Sequence, residues 1–267
     1  MIRTVVPRAN RDSSNTDLVP IGDGINVIYS SGDVFYAKNK EDTVGAFVQS
    51  TEKIATILRD DEICIAGLCR GLPNADLGSD AAIVCADFVQ SYDYEVPSDL
   101  KDVYKVPMAL TELAQVVTAS QVELASIEGD NSEIATSATV VRILNVGDQE
   151  KYAVYAHIGT NNIFHVDKYG NSIKKTVPEG VGSSVFHYLS PTGSSDLGQT
   201  GMFQLKAGEG VVVSSGALYE GPVVNNFAEK VLTSAIEVPS ASEAAKIIVD
   251  NGDSGKEEKG AVIMQHV

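Results

Sequence analysis

Two switches in hydrophobic period constrain this chain most. Strand-like apolar runs occur at 26–29, 34–37, 44–48 and 62–67, apolar residues recur every three or four positions over 76–92 and 109–127, and strand-like patterns return over 138–214. A second helical stretch follows at 222–250, and a last strand at 261–264 closes the chain. Helices grouped in pairs and strands grouped as hairpins favour an α+β fold. We therefore predict a four-layer α/β/β/α sandwich, in which two antiparallel sheets are flanked by helix pairs.

The helical segments carry local signals of their own. The first, over 76–92, places small and aromatic apolar residues on one broad face, and the second, over 109–127, repeats apolar residues at threes and fours. Two further helices are predicted over 222–236 and 240–250. The last of them begins with a Ser followed three residues later by a Glu, which is the spacing of a capping box.

The length of the chain bounds its organisation. With 267 residues and no internal repeat at solenoid spacing, the sequence can bury one large core. Residues 1–24 are polar and without a clear period, and they are predicted to form an N-terminal extension. Residues 25–267 are predicted to form a single domain.

Charge and cysteine usage exclude several classes of function. The net charge of -16 repels phosphate backbones and anionic membranes, so neither a nucleic acid nor a membrane is expected as a partner. No apolar run approaches the roughly 20 residues needed to span a bilayer, and the first residues do not resemble a signal peptide. Three cysteines, an odd number, favour reduced thiols. The predicted location is therefore cytoplasmic.

Five strand junctions carry segments that look like motifs. In chain order they are Lys40-Glu41-Asp42 before a strand, residues 65–71 between a strand and an alanine-rich helix, Gly159-Thr160-Asn161 at a turn, Ser214-Ser215-Gly216 after a strand, and Glu258-Lys259-Gly260 before the last strand. Together they resemble the metal-binding segments of the type 2C metal-dependent Ser/Thr protein phosphatases (PPM family), over about 26–267. The resemblance implies the same four-layer fold.

The departures from that family fall on its catalytic positions. The resemblance places Gly67, Thr160 and Gly216 where the family carries metal-binding aspartates, and Leu68 where it carries a metal-bridging backbone glycine. The family's phosphate-binding Arg would fall near Ala37. No catalytic residue is therefore expected, and Gly67, Thr160 and Gly216 are interpreted as degenerate positions.

The surviving acids define a reduced metal site. Phosphatases of this family use two divalent cations to activate a water and to offset phosphoryl charge, and Mg²⁺ or Mn²⁺ prefers several carboxylate oxygens. Glycine supplies no ligand. Glu41, Asp42 and Glu258 remain as residual candidates, sufficient for one Mg or Mn if the site is occupied. The other interpretation of Glu41 and Asp42 is a charged pair on a solvated turn, and no cofactor is otherwise expected.

The leading hypothesis is a pseudophosphatase, a protein-binding or regulatory module that recognises without hydrolysing. Its expected partner is a protein, with a phosphoprotein, a kinase or a phosphatase as candidates. The second hypothesis is a divergent metal-dependent Ser/Thr phosphatase that uses the reduced metal site. A third is a different αββα scaffold, that of the N-terminal-nucleophile hydrolases, which would need processing to free a nucleophile.

Several other residues could have a functional role, but each also has a simpler structural interpretation. His157 and His165 flank the Gly159 turn and could be ligands, although residues so placed more often cap strand edges. Arg70 could bind phosphate, although a surface arginine is the simpler interpretation. The cysteine spacing matches no zinc pattern and favours small buried hydrophobic residues; the three are Cys64, Cys69 and Cys85.

Overall fold

The computed structural model describes most of the middle of the chain and parts of its ends. The described residues are 20–21, 24–25, 34–38, 42–49, 54–59, 63–72, 74–147, 150–169, 171–176, 180–181, 184–185, 187–192, 198–215, 247–249 and 259–266. The strands are β1 (Pro20–Ile21), β2 (Gly24–Ile25), β3 (Val34–Lys38), β4 (Asp42–Gln49), β5 (Ile54–Arg59), β6 (Ile65–Gly71), β7 (Asp99–Leu100), β8 (Thr136–Val146), β9 (Glu150–Ile158), β10 (Asn162–Val166), β11 (Ser172–Lys174), β12 (Gly180–Val181), β13 (Ser184–Val185), β14 (Gln199–Leu205), β15 (Gly210–Ser214) and β16 (Lys259–His266).

Two long helices, α1 (Gly78–Ser91) and α2 (Val106–Leu124), follow the predicted apolar spacing. Pro107 lies in the first turn of α2, where a missing backbone N–H costs nothing. α1 buries a stripe of mostly small residues, which lets it approach the sheet closely, whereas the buried stripe of α2 consists mostly of Val and Leu. In the described part of the chain, no helix is both long and apolar enough to cross a bilayer.

The larger strands form two sheets. The first sheet has the order β14-β9-β8-β6-β5, with the short β7 parallel to β8, and the second has the order β11-β10-β15-β16-β4-β3. Within each of these orders every neighbouring pair is antiparallel. The prediction of an α+β fold with two antiparallel sheets is therefore confirmed.

Two apolar cores lie on opposite faces of the first sheet. One core joins the sheet to α1 and α2, and includes Ile65 and Cys69 of β6. The other joins the two sheets, and includes Ala66 and Leu68 of the same strand. Because successive strand residues point to opposite faces, β6 contributes to both cores and is buried along its whole length.

The fourth predicted layer lies largely outside the described residues. Of the helices predicted over 222–236 and 240–250, only 247–249 are described, and these three residues are helical. The predicted N-terminal extension is likewise outside them except for 20–21 and 24, and 20–21 pairs with β2. The boundary between extension and domain stays a prediction.

A buried ion pair fastens α2 and the loop before it to the first sheet. The Arg142 guanidinium, 0% exposed, lies 2.9 Å from Glu112 Oε2 on α2, and its carbon lies 5.0 Å from the ring centre of Tyr94. Arg142 also donates to the Val96 carbonyl, and Glu112 accepts from the backbone N–H groups of Glu95 and Val96. Burial lowers the pKa of Arg142, and the Glu112 charge counteracts that effect. The pair thus holds three segments together.

Replacing Glu112 by Ala should lower the free energy of unfolding by about 3 kcal/mol, because the Arg142 charge would stay buried without its partner. Urea denaturation followed by circular dichroism measures the change. The exposed Glu123 on the same helix provides the control, and Glu123→Ala should change stability by no more than about 0.5 kcal/mol. Equal losses in both variants would contradict the structural role given to the ion pair.

Candidate functional site

Three of the five motif-like junctions meet at one end of the second sheet. Asn162, at the start of β10, pairs with Ser214 at the end of β15, and Ser214 pairs with Ala261 near the start of β16. The Ser215 N–H donates to the Gly260 carbonyl at 2.9 Å, and the Gly260 N–H donates to Ser215 Oγ at 3.2 Å. Gly216, one of the degenerate positions, follows Ser215 but lies outside the described residues.

The first sheet reaches the same end through one buried hydrogen bond. Asn161 Nδ2 donates to the Leu68 carbonyl at 3.3 Å, across the space between β6 and the turn after β9. Thr160, the second degenerate position, lies in that turn and is 8% exposed. The backbone oxygen that the resemblance compares with a metal-bridging carbonyl is therefore engaged by a side-chain amide.

The Gly159 turn depends on glycine at its first residue. Gly159 has φ +106°, and a Cβ built there would lie 2.4 Å from the Ser137 Cβ. A side chain would therefore be strained by the backbone and would clash with β8. This backbone conformation and the close approach of β8 explain why position 159 is glycine.

Position 67 leaves no room for any side chain. A Cβ built on Gly67 would lie 2.2 Å from the Thr139 carbonyl oxygen, which belongs to the backbone of β8. Strand alternation also directs position 67 toward the helices, since Leu68 faces the second sheet. In this backbone an aspartate at 67 could not reach the space between the sheets without a shift of β6.

A polar cluster closes the space between the sheets at this end. We call Arg70, Ser137, Thr139, His157 and Asn161 the inter-sheet cluster, since strand alternation and pairing place the first four on the face that meets the second sheet and Asn161 bonds across to Leu68. Thr139 Oγ1 and His157 Nδ1 are 2.8 Å apart, and Ser137 Oγ donates to the Arg70 carbonyl at 3.2 Å. All five are buried.

Arg70 is the one arginine or lysine in that cluster, and its placement corrects the sequence interpretation. It is 7% exposed, so the expectation of a surface arginine is wrong. Strand alternation places its Cα about 7 Å from that of Leu68, on the same face of β6. The Arg70 side chain thus starts from the face of β6 that meets the second sheet, which is the side where the resemblance would place metal ions.

The two histidines have different surroundings. His157 lies within the inter-sheet cluster, whereas His165 Nε2 lies 2.9 Å from Glu209 Oε2 and its ring stacks on Phe203 with centres 4.7 Å apart. No group of three His, Cys, Asp or Glu residues suited to a metal occurs among the residues that are described. Metal ligation by His157 or His165 stays a prediction, and no set of three metal ligands among the described residues supports it.

The strand register fixes where Asp42, the one residual acid among the described residues, lies relative to Lys259. Asp42 begins β4 and pairs with His266 at the end of β16, whereas Lys259, the neighbour of Glu258 in the chain, pairs with Gln49. Seven residue steps therefore separate Asp42 from Gln49, about 24 Å along the strand. Glu41 and Glu258 lie outside the described residues, so ligation by them stays a prediction, but this register does not bring Asp42 and Lys259 to one ion.

Several buried polar atoms at this end lack a hydrogen-bond partner among the described residues. They are Asn161 Oδ1, both side-chain polar atoms of Asn162, and Ser214 Oγ. Each such atom costs about 1–3 kcal/mol when left unsatisfied, so water or a polar ligand is favoured there. Neutral amides and hydroxyls beside a guanidinium do not form a set of ligands for paired divalent cations, which need carboxylates to balance their charge.

Comparison with solved structures identifies the fold. The chain has the fold of the PPM-type, metal-dependent Ser/Thr phosphatases. Solved structures of this class match over most of their length, which favours the phosphatase scaffold over that of the N-terminal-nucleophile hydrolases.

Three of these structures illustrate the likeness. RsbX in complex with magnesium is 14% identical, with 88% of this chain and 100% of that chain covered and a TM-score of 0.58. The PPM Ser-Thr phosphatase MsPP from Mycobacterium smegmatis, in complex with cacodylate, is 14% identical at 88% and 98% coverage, with a TM-score of 0.59. The catalytic domain of the phosphatase PstP with 2 manganese ions is 15% identical at 84% and 98% coverage, with a TM-score of 0.57.

The sequence itself gives no further relative. No known family profile matches it, and no curated protein matches it significantly. At the identities found, the structural likeness establishes the fold and leaves activity to be argued from the site.

Sequence reasoning missed the partnerships within the inter-sheet cluster. The Thr139–His157 contact joins residues 18 positions apart in the chain, and it follows only from the β8–β9 register. A signal was present, since Ser137, Thr139 and Arg142 interrupt an otherwise apolar strand. In a strand buried on both faces, such polar residues require partners.

Replacing Gly67 by Ala should lower the free energy of unfolding by about 1–3 kcal/mol, because the new Cβ would overlap the Thr139 carbonyl. The exposed Glu128 supplies a control, since Glu128→Ala should leave stability within about 0.5 kcal/mol. Thermal and urea denaturation of both variants measure the difference. A Gly67→Ala protein as stable as the parent would show that β6 has room for a side chain there.

Proposed function

We propose that this protein is a pseudophosphatase, a phosphatase-fold module that binds a protein partner without hydrolysing phosphate. The observation that carries the proposal is the closed Gly67 position in β6, where a Cβ would lie 2.2 Å from a backbone oxygen. A strand that cannot accept a side chain at this point cannot supply a carboxylate there. The first sheet therefore contributes no metal ligand at that position.

The charge of the inter-sheet cluster supports the same proposal. Arg70 is almost fully buried and carries one positive charge, and the other members of the cluster are neutral when His157 is unprotonated. Like charges repel strongly in a site from which water is excluded. A pair of divalent cations beside this arginine would need more carboxylates than a normal site, whereas no group of three suitable ligands occurs in the described part of the chain. A cation-dependent mechanism is therefore disfavoured.

The same charge supports a phosphorylated partner. Arg is suited to phosphate because its planar guanidinium donates two parallel hydrogen bonds. With a net charge of -16 the surface as a whole repels phosphate, so binding would depend on a local cation. In our proposal Arg70 is that local cation, and the Asn161 amide and the His157 ring belong to the same cluster.

A reduced metal site is the second candidate. The observation in its favour is the acid pair Glu41-Asp42 at the start of β4, which could hold one Mg or Mn without help from the opposite end of the sheet. In this case the protein would be a divergent metal-dependent phosphatase. The location proposed for either form is the cytoplasm.

The protein should not hydrolyse an aryl phosphate or a phosphopeptide in the presence of Mn²⁺, because the proposed site cannot assemble the paired ions that activate water. The assay measures released phosphate, with an active phosphatase of the same fold as positive control. Calorimetric titration with Mn²⁺ accompanies it. Turnover that is lost in Asp42→Ala would overturn the pseudophosphatase proposal, and heat of binding without turnover would favour one bound ion.

Arg70→Met should weaken binding of a phosphopeptide about tenfold or more, because it removes charge-assisted hydrogen bonds while keeping a long side chain. Fluorescence anisotropy with a phosphorylated peptide and its unphosphorylated twin measures the affinities. Lys101→Met, at an exposed position, is the control and should leave the affinity within about twofold. If the parent protein bound both peptides equally, the proposal that it recognises phosphate would be wrong. The partner would then be a protein that is recognised through other groups.

A further inference from the structure

Two of the three cysteines face each other between β6 and α1. Cys69 Sγ and Cys85 Sγ are 3.5 Å apart, and both side chains are 0% exposed. None of the three cysteines forms a disulfide, and Cys64 lies in the core between the sheets, on the opposite face of the first sheet. A disulfide requires a sulfur separation of about 2.0 Å, so the two sulfurs would have to approach by roughly 1.5 Å to be joined.

The backbone holds this pair in place. β6 ends at Gly71 and α1 begins at Gly78, and a Cβ on Gly71 would lie 2.3 Å from the Gly78 carbonyl carbon. The helix and the strand are therefore in direct backbone contact at their junction, which only glycines permit. Cys85 follows two turns later along α1, and Cys69 lies two residues back along β6. Their proximity is a fixed property of the packing between these two elements.

The surroundings make the two thiols chemically unequal. The hydrogen bond between them lowers the pKa of Cys85 and raises that of Cys69, because the Cys69 S–H donates to the Cys85 sulfur. Ser120 Oγ on α2 lies 3.2 Å from Cys85 Sγ and also donates to the Val117 carbonyl at 2.6 Å. By rotating, this hydroxyl can support a thiolate on Cys85. Cys85 is thus the more nucleophilic sulfur.

We propose that Cys69 and Cys85 form an oxidation site, at which a peroxide converts the facing thiols into a reversible disulfide. In the first step the Cys85 thiolate attacks one peroxide oxygen, the O–O bond breaks, and a sulfenic acid and hydroxide form. In the second step Cys69 sulfur attacks the Cys85 sulfur, the S–O bond breaks, and water leaves with the proton from Cys69. The two sulfurs lose two electrons in total, and hydrogen peroxide is reduced to water. A dithiol reverses the reaction.

Peroxide suits this site because it is small. Both sulfurs are buried, so the oxidant reaches them only when α1 moves away from β6 for short times. A bulky disulfide such as oxidised glutathione requires a wider opening. The disulfide would lock α1 against the strand that carries Leu68, whose carbonyl bonds to Asn161. Oxidation is therefore expected to stiffen one wall of the inter-sheet cluster, whatever ligand that cluster binds.

The test treats the folded, full-length protein with hydrogen peroxide and counts thiols with Ellman's reagent after denaturation. The count should fall by two, from three, and dithiothreitol should restore it. Peptide mapping without reduction should identify Cys69 joined to Cys85. The urea midpoint of the oxidised protein should be higher than that of the reduced protein, because the crosslink restricts the unfolded chain.

Matched variants make the assignment specific. Cys64→Ser should still lose two thiols, whereas Cys85→Ala should form no intramolecular disulfide. The mapping of the parent protein needs no variant, so the proposal stays testable if Cys85→Ala fails to fold. Retention of all three thiols in the folded parent, a bridge that involves Cys64, or bridging only after unfolding in urea would each overturn it. None of these readouts depends on phosphatase activity or on phosphopeptide binding.

Discussion

Burial of the first sheet on both faces is the constraint on which the rest of this molecule depends. β6 is buried along its whole length, between α1 on one face and the second sheet on the other. A strand in this position must satisfy every polar group within the protein, and it cannot shift without disturbing two cores. For this reason Arg142, which lies on β8 of the same sheet, requires both Glu112 and the loop before α2.

The same constraint explains which parts of the fold the sequence predicts. α2 and β9 were predictable because each shows a periodic apolar face, and the structure places them within a few residues of the expected bounds. β5 was missed because Ile54 faces one core and Ala55 the other, so the strand shows no alternation. The sequence could not predict where Asp42 lies relative to β16. A motif at the start of β4 does not reveal how the residues of β4 pair with those of β16.

The inter-sheet cluster changes how the missing acids are understood. The family resemblance interprets Gly67 and Thr160 as degenerate ligand positions. That interpretation alone would suggest a metal site that lacks some of its ligands and is otherwise unchanged. In the structure the neighbouring groups have partners of their own: Asn161 binds the Leu68 carbonyl, and Thr139 contacts His157. A buried arginine adds positive charge to this space. The cluster is therefore a polar arrangement in its own right, in which a cation would compete with a side chain.

Neutral groups at the positions that the resemblance compares with metal-binding acids are compatible with this fold for an electrostatic reason. Carboxylates held close together repel one another, so a site built from several of them is stable only when cations are bound. Glycine and hydrogen-bonded amides remove this repulsion, as the closed backbone at Gly67 and the Asn161 amide illustrate. The two apolar cores then stabilise the layers without help from an ion. The described residues thus keep the phosphatase fold with neutral groups at position 67 and in the Gly159 turn, because apolar contacts hold the layers together.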